Sequence, residues 1–250
     1  MEGRDPAITP QRRTDHGFYP VVRAARQTCR WCTEPTTGSW ACRHCTDHHR
    51  IPGTSGVVVP LTYAIAGTES SRTLRDYKDH PSRRRRTACA AAMTTLIGSA
   101  LPAHQRCVAA AAGMPVDLLT TVPSLTWRPG AHPFTAVVRD AGVALRDLLE
   151  AAAGATCHRT VDPTKFVVLD VDAVTTRHVL ILDDIWTTGS NAQSAALALH
   201  AAGASSVSIM VVGRWLNPGY PPTKAFIDRH PTPSANLGFC PVTGEPCSTG

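Results

Sequence analysis

Lysine is almost missing from this chain. Of 25 basic residues, 22 are arginine and 3 are lysine, and alanine is abundant. That balance is the mark of a GC-rich coding bias, so the arginine excess is discounted as a binding signal. Aromatic residues are scarce too, at 6%. None interleaves with the arginine run at 83–86, which speaks against single-strand nucleic-acid binding. Long apolar runs are absent: the most apolar long window, ACAAAMTTLIGSAL at 88–101, has 14 residues with threonines inside, too few to cross a bilayer. The opening MEGRDPAITP has no apolar core of the kind a secretory signal needs, so none is expected. There is no internal repeat and no G-x-x-x-x-G-K-[ST] phosphate loop, which excludes a P-loop NTPase. These absences leave a soluble, cytoplasmic protein as the expectation. Nine cysteines in that compartment read as reduced thiols or metal ligands rather than disulfides.

What is present begins with size. A chain of 250 residues with 43% hydrophobic content can fill a core, as one large domain or a small module plus a medium one. A net charge of +6 suits phosphate-bearing partners, and plain solubility equally well. Residues 1–28 are polar and basic, with the first dozen expected to fray. A cysteine-rich module follows at 29–50, an α/β domain at 57–215, and an irregular Pro- and Gly-rich tail from 216 or 217 to 250. Strands are expected at 57–65 and 118–123, in KFVVLDV, in HVLILDD and in SVSIMVVG. A short helical turn is expected at 72–79. Alanine-rich helices fit 83–101 and 103–112, broken at Pro102. Residues 138, 141, 145, 148, 149 and 152 form one apolar face, so 135–153 reads as a helix capped by Gly154. Strand, helix and strand from 178 to 213 make a βαβ unit, and so a mostly parallel sheet.

Two stretches carry chemistry. In HVLILDDIWTTGSN, 178–191, a buried strand ends on Asp183 and Asp184, and a loop of small hydroxyl residues leads into a helix. Ligands of parallel sheets sit beyond such strand ends. Two adjacent carboxylates repel, and a sugar diol, a metal or a basic side chain relieves them. The free N–H groups at the helix start attract an anion, with Thr187, Thr188 and Ser190 as hydroxyl donors and Gly189 allowing close approach. The site suits a phosphorylated ribose. A plain N-capped helix after a strand is the bland alternative. The second stretch is C-x2-C-x9-C-x2-C, formed by Cys29, Cys32, Cys42 and Cys45, whose spacing suits a closed, structural Zn²⁺. His44, His48 and His49 lie close enough to substitute as ligands. Cys240 and Cys247 in CPVTGEPC can bind a second metal, form a labile disulfide or pack, and packing or disorder is the expectation. Cys89, Cys107 and Cys157 read as small buried hydrophobes. The arginines at 83–86 read as a solvated helix face.

VLILDDIWTTGSN resembles the phosphoribosyl-pyrophosphate (PRPP) motif of type I phosphoribosyltransferases. The order of a four-cysteine module, TLRDYK, TTVPSLTWRPGAHPF and that motif resembles the ComF-like phosphoribosyltransferase family. The resemblance implies the type I fold and a transferase that binds PRPP with Mg²⁺. Asp183 and Asp184 would then hold the ribose hydroxyls. Thr187, Thr188, Gly189, Ser190 and Asn191 would cradle the 5'-phosphate, Asn191 standing where the motif has Thr or Ser. Residues 122–128 fall at the family's pyrophosphate loop, making Ser124 and Arg128 candidates. Arg159 and Lys165 stand where its flexible loop lies, with His158 beside them. Arg128 and Arg159 would serve the pyrophosphate. The family's link to DNA uptake leaves a non-catalytic nucleic-acid-associated protein as the rival reading. The acceptor, and whether the chain forms a homodimer, are left open.

Overall fold

The computed structural model describes residues 17–126, 132–156, 158–230 and 239–247. The first dozen residues, Arg128 and Cys157 therefore lie outside the described residues. The fold is α/β. In chain order the elements are β1 (Tyr19–Pro20), α1 (Arg43–His48), β2 (Val57–Ile65), α2 (Glu69–Asp79), α3 (Arg83–Ala112), β3 (Leu118–Thr121), α4 (Pro133–Asp140), β4 (Leu149–Ala151), β5 (Phe166–Val168), α5 (Val171–Val174), β6 (His178–Trp186), α6 (Ser190–Ala201), β7 (Ser206–Leu216) and α7 (Pro221–Arg229). The main sheet has the order β1-β2-β7-β6-β3. Its pairs β2·β7, β7·β6 and β6·β3 are parallel, and the short β1 is antiparallel at the edge. β4 and β5 form a separate antiparallel pair.

The central strands are apolar on both sides because both faces are covered, as parallel sheets require. Leu180 and Leu182 of β6 face a core built with α2, α3 and α4. Val179, Ile181 and Trp186 face the opposite core, made by α6, the β4/β5 pair and three of the module's cysteines. The cysteine module is thus packed onto the sheet. Tyr63 of β2 donates its hydroxyl to Thr33 O at 2.9 Å.

Three helical expectations give way to tertiary packing. α3 does not break at Pro102 but runs unbroken through it. Proline in a helix interior costs ~3 kcal/mol. Here Ile97, Ala100 and Leu101 before and beside it, and Val108 beyond it, are all buried against the sheet, and that burial outweighs the cost. The carbonyl the proline ring would crowd, four residues back, belongs to Gly98, the least bulky neighbour available. The expected helix at 135–153 is instead α4, a bend and β4. Gly142 sits at φ +78 and stops the helix. Val137 and Val138 then enter one core while Leu148 and Leu149 enter the other, so the apolar residues serve two faces of the sheet rather than one helix face. The turn expected at 72–79 is a helix from Glu69. The stretch from 217, expected to be irregular, contains α7, whose Phe226 packs on Tyr63 edge-on. No helix of the described residues is long and apolar enough to cross a membrane.

Candidate functional site

Adjacent strands β3 and β6 send the chain to opposite faces of the sheet. After β3 it enters α4 on the α2/α3 side, and after β6 it enters α6 on the other. A crevice opens at the carboxyl ends where that divergence occurs. Asp183 and Asp184 stand there, and strand alternation turns their side chains to different faces.

Asp184 is buried and faces α2. Its carboxylate accepts the Tyr77 hydroxyl at 2.5 Å and forms an ion pair with Lys78, while its second oxygen accepts the Ile185 N–H at 2.8 Å. Burial alone would raise this carboxyl, but the Lys78 ammonium and the Tyr77 hydroxyl outweigh it and hold it below the usual range. The partners come from TLRDYK, a segment with no assigned role in the sequence reading. Asp183 is half-buried and faces the α6 side, its Oδ1 accepting the Asp184 N–H at 2.9 Å. Burial, reinforced by the neighbouring Asp184 carboxylate, pushes it up to about 8. The two carboxylates therefore do not act as a matched pair: their surroundings push Asp183 up and hold Asp184 down.

This asymmetry sets a pH-dependent stability. The unfolded carboxyl titrates near ~3.9, so between there and about 8 the folded state holds the extra proton on Asp183. Stability that is full below the unfolded value is lost as pH rises through the folded one. Asp183→Asn mimics the protonated form. It should match the wild type near pH 4 and exceed it by on the order of 2 kcal/mol at pH 9, after allowance for solvent at a half-buried carboxylate. Urea unfolding at the two pH values checks this, and a gap that does not widen with pH would contradict it.

Asp183 borders a 170 Å³ cleft with Thr187, Thr188, Gly189, Ser190, Asn191 and Arg159. Thr188 and Ser190 are buried, with their hydroxyls 3.1 Å apart. Gly189 is the N-cap of α6 at φ +81, and a Cβ there would overlap the Trp186 indole. The glycine is thus demanded by the loop's own path and by Trp186, a constraint additional to close ligand approach.

Lys165, a candidate for the flexible loop, is buried. Its ammonium donates to His158 O at 2.5 Å, Thr160 O at 2.7 Å and Asn191 Oδ1 at 3.3 Å. The Asp162 N–H donates to Ser194 Oγ at 2.9 Å. These bonds pin segment 158–165 onto the start of α6 and carry Arg159 to the cleft. Exposed His158 contributes its carbonyl to that clamp. Ser124 lies after β3 on the same sheet edge, but its hydroxyl donates to Thr126 O at 2.9 Å and it does not border the cleft. Asp184 does not border it either.

Behind the loop stands a residue the sequence reading missed. Arg214 of β7 pairs in register with Trp186 and is buried. Its Nη1 donates to Trp186 O at 2.7 Å and to Thr187 O, and its Nη2 forms an ion pair with Glu34 of the cysteine module. One guanidinium thus joins the loop of the cleft to the module. An arginine inside the largely apolar SVSIMVVGRWL was the available signal.

In the module, Cys29, Cys32, Cys42 and Cys45 bring their sulfurs within 4.8 Å of one another, with Cys32 and Cys42 at 3.6 Å. Tetrahedral coordination at a Zn–S length near 2.3 Å places sulfurs ~3.8 Å apart, so the cluster is at metal-binding distance. Thr33 at φ +59 makes the tight turn after Cys32, and α1 starts directly after Cys42. None of the nearby histidines joins the cluster: His49 stacks on Trp31, with ring centroids 3.8 Å apart. In comparisons with known proteins, no family model matches the chain and no curated protein matches it.

Proposed function

We propose that this chain is a ComF-like phosphoribosyltransferase of the type I fold, binding PRPP with Mg²⁺ at the carboxyl end of β6. The observation that carries the reading is the single cleft bordered by Asp183, the 187–191 loop and Arg159 at the start of α6. A sugar hydroxyl can reach Asp183, a phosphate fits the hydroxyls and N–H groups of the loop, and a second anionic group fits Arg159. Arg128 is proposed for the pyrophosphate on the resemblance alone. Mg²⁺, when bound with PRPP, supplies charge neutralisation on the pyrophosphate. The C1–O bond to pyrophosphate breaks with its electron pair leaving on oxygen, through an oxocarbenium-like state. The acceptor's nitrogen lone pair forms the new bond to C1. The chain's share is to hold the ribose and to balance the leaving charge. Asp184, held by Tyr77 and Lys78, braces the strand end. The cysteine cluster is proposed to hold a structural Zn²⁺. Titration of the protein with PRPP and Mg²⁺ tests the reading.

A nucleic-acid-associated role is the second reading, and it rests on the exposure of Arg83 and Arg84. The other two arginines of the run are engaged within the fold. Arg85 pairs with Glu69 at 2.5 Å and Asp76 at 3.0 Å, and Arg86 donates to His80 O at 2.5 Å. Two free arginines make a small footprint, so duplex DNA binding should be weak. Changing both to alanine should lower the logarithmic salt slope by no more than ~2. Tight binding that collapses in the Arg83→Ala/Arg84→Ala variant would reverse the ranking.

A further inference from the structure

The C-terminal cysteines do not simply pack. His104 and Cys107 stand one turn apart on α3, and the loop at 239–247 returns onto that turn. Cys247 Sγ lies 3.8 Å from Cys107 Sγ and 3.3 Å from His104 Nδ1. Cys240, which is buried, completes a group whose ligand atoms all lie within 4.8 Å of one another. Zn–S and Zn–N lengths near ~2.3 and ~2.05 Å give tetrahedral edges of ~3.8 Å between sulfurs and ~3.6 Å between sulfur and nitrogen. Both measured pairs fall close to those edges. A disulfide requires sulfurs at ~2.05 Å, and all four cysteines of the N-terminal module and all three of this group are free thiols.

The loop itself is shaped to present a sulfur. The Cys240 N–H donates to Glu245 O at 2.8 Å, and the Gly244 N–H returns to Cys240 O at 2.7 Å. Gly244 adopts φ +84, and a Cβ there would meet Arg23 Cβ at 2.8 Å. Among the described residues, metal-ligating side chains gather in two such groups, the N-terminal cysteine cluster and this one.

We propose that His104, Cys107, Cys240 and Cys247 form a second zinc site that fastens the C-terminal loop to α3. The consequence reaches the first module. The Arg23 guanidinium donates to Pro241 O in the loop, to Arg30 O at 2.9 Å between Cys29 and Cys32, and to Val58 O at 2.9 Å on β2. The second ion braces the cysteine module through that arginine. The site stands independently of the PRPP reading.

The test uses the full chain, purified under reducing conditions, loaded with Zn²⁺ and freed of excess metal. Two zinc ions per chain are expected in the wild type and one in Cys240→Ser/Cys247→Ser, with unchanged circular dichroism. One ion in both proteins, or two in both, overturns the proposal. Alkylation of the wild type provides a second measurement that needs no variant. Cys247 is exposed, so the reagent can reach it when no metal is bound. With zinc bound, Cys107, Cys240 and Cys247 should resist iodoacetamide and become labelled after chelation. Labelling of Cys247 that is equally fast with and without zinc overturns the site. So does a Cys107–Cys247 disulfide recovered from the zinc-loaded, reduced protein.

Discussion

Arg214→Met should unfold at a markedly lower temperature than the wild type and should lose ligand affinity with it. The substitution keeps the apolar stem but removes every donor. Glu34 is then left half-buried without its partner, and the Trp186 and Thr187 carbonyls lose the guanidinium. Breaking a buried ion pair from one side costs ~3–5 kcal/mol. For a chain of this size each kcal/mol lowers Tm by ~2–4 °C, so a fall of ~6–20 °C is expected. Glu34→Gln retains a carbonyl oxygen to accept the same donor but leaves the buried Arg214 charge unneutralised, so it should cost part of the same ~3–5 kcal/mol. A double-mutant cycle separates the pair from its surroundings. Additive losses would mean that the arginine supports the loop without the module. A coupling of ~1 kcal/mol or more is expected, and it makes the module a mechanical part of the cleft. Chelation should then weaken PRPP binding as well as loosen residues 29–50, because the module shares its core with the sheet.

The features legible in sequence are those set by local spacing. β2 occupies the expected 57–65, the βαβ unit from β6 to β7 is parallel, and the four N-terminal cysteines meet as their spacing implies. The 187–191 loop stands at a strand end before a helix, where hydrophobic run, acids and hydroxyls had pointed. What stayed hidden depends on partners far along the chain. The helix pattern at 135–153 could not reveal that its apolar residues divide between two faces of a sheet. Pro102 looked like a break because the burial that holds α3 together comes from strands distant in sequence. Adjacent Asp183 and Asp184 looked equivalent until Tyr77 and Lys78 claimed one of them. Arg214 was hidden in an apolar strand, and its partner Glu34 is 180 positions away. Cys247 looked idle because His104 is 143 positions away.

If the cleft at the end of β6 holds PRPP, as proposed, thermal unfolding with PRPP and Mg²⁺ will register it. Ligand that binds only the folded state adds about 2.7 kcal/mol at 100 times its dissociation constant, which is a Tm rise of ~5–10 °C. Ribose 5-phosphate, lacking the pyrophosphate proposed for Arg159, should give a smaller rise. Asp183→Asn should stay folded and lose most of the shift, because an amide cannot ionise to the charged acceptor that a bound ribose with Mg²⁺ would favour. Gly189→Val should lose all of it, because a branched side chain at φ +81 and against Trp186 cannot keep the loop's path. Asp184→Asn should destabilise the free protein instead, since it leaves Lys78 facing a neutral amide. A clear rise with wild type, reduced in Asp183→Asn and absent in Gly189→Val with circular dichroism unchanged, is the predicted result. No rise in the wild type at millimolar PRPP and Mg²⁺ would contradict it.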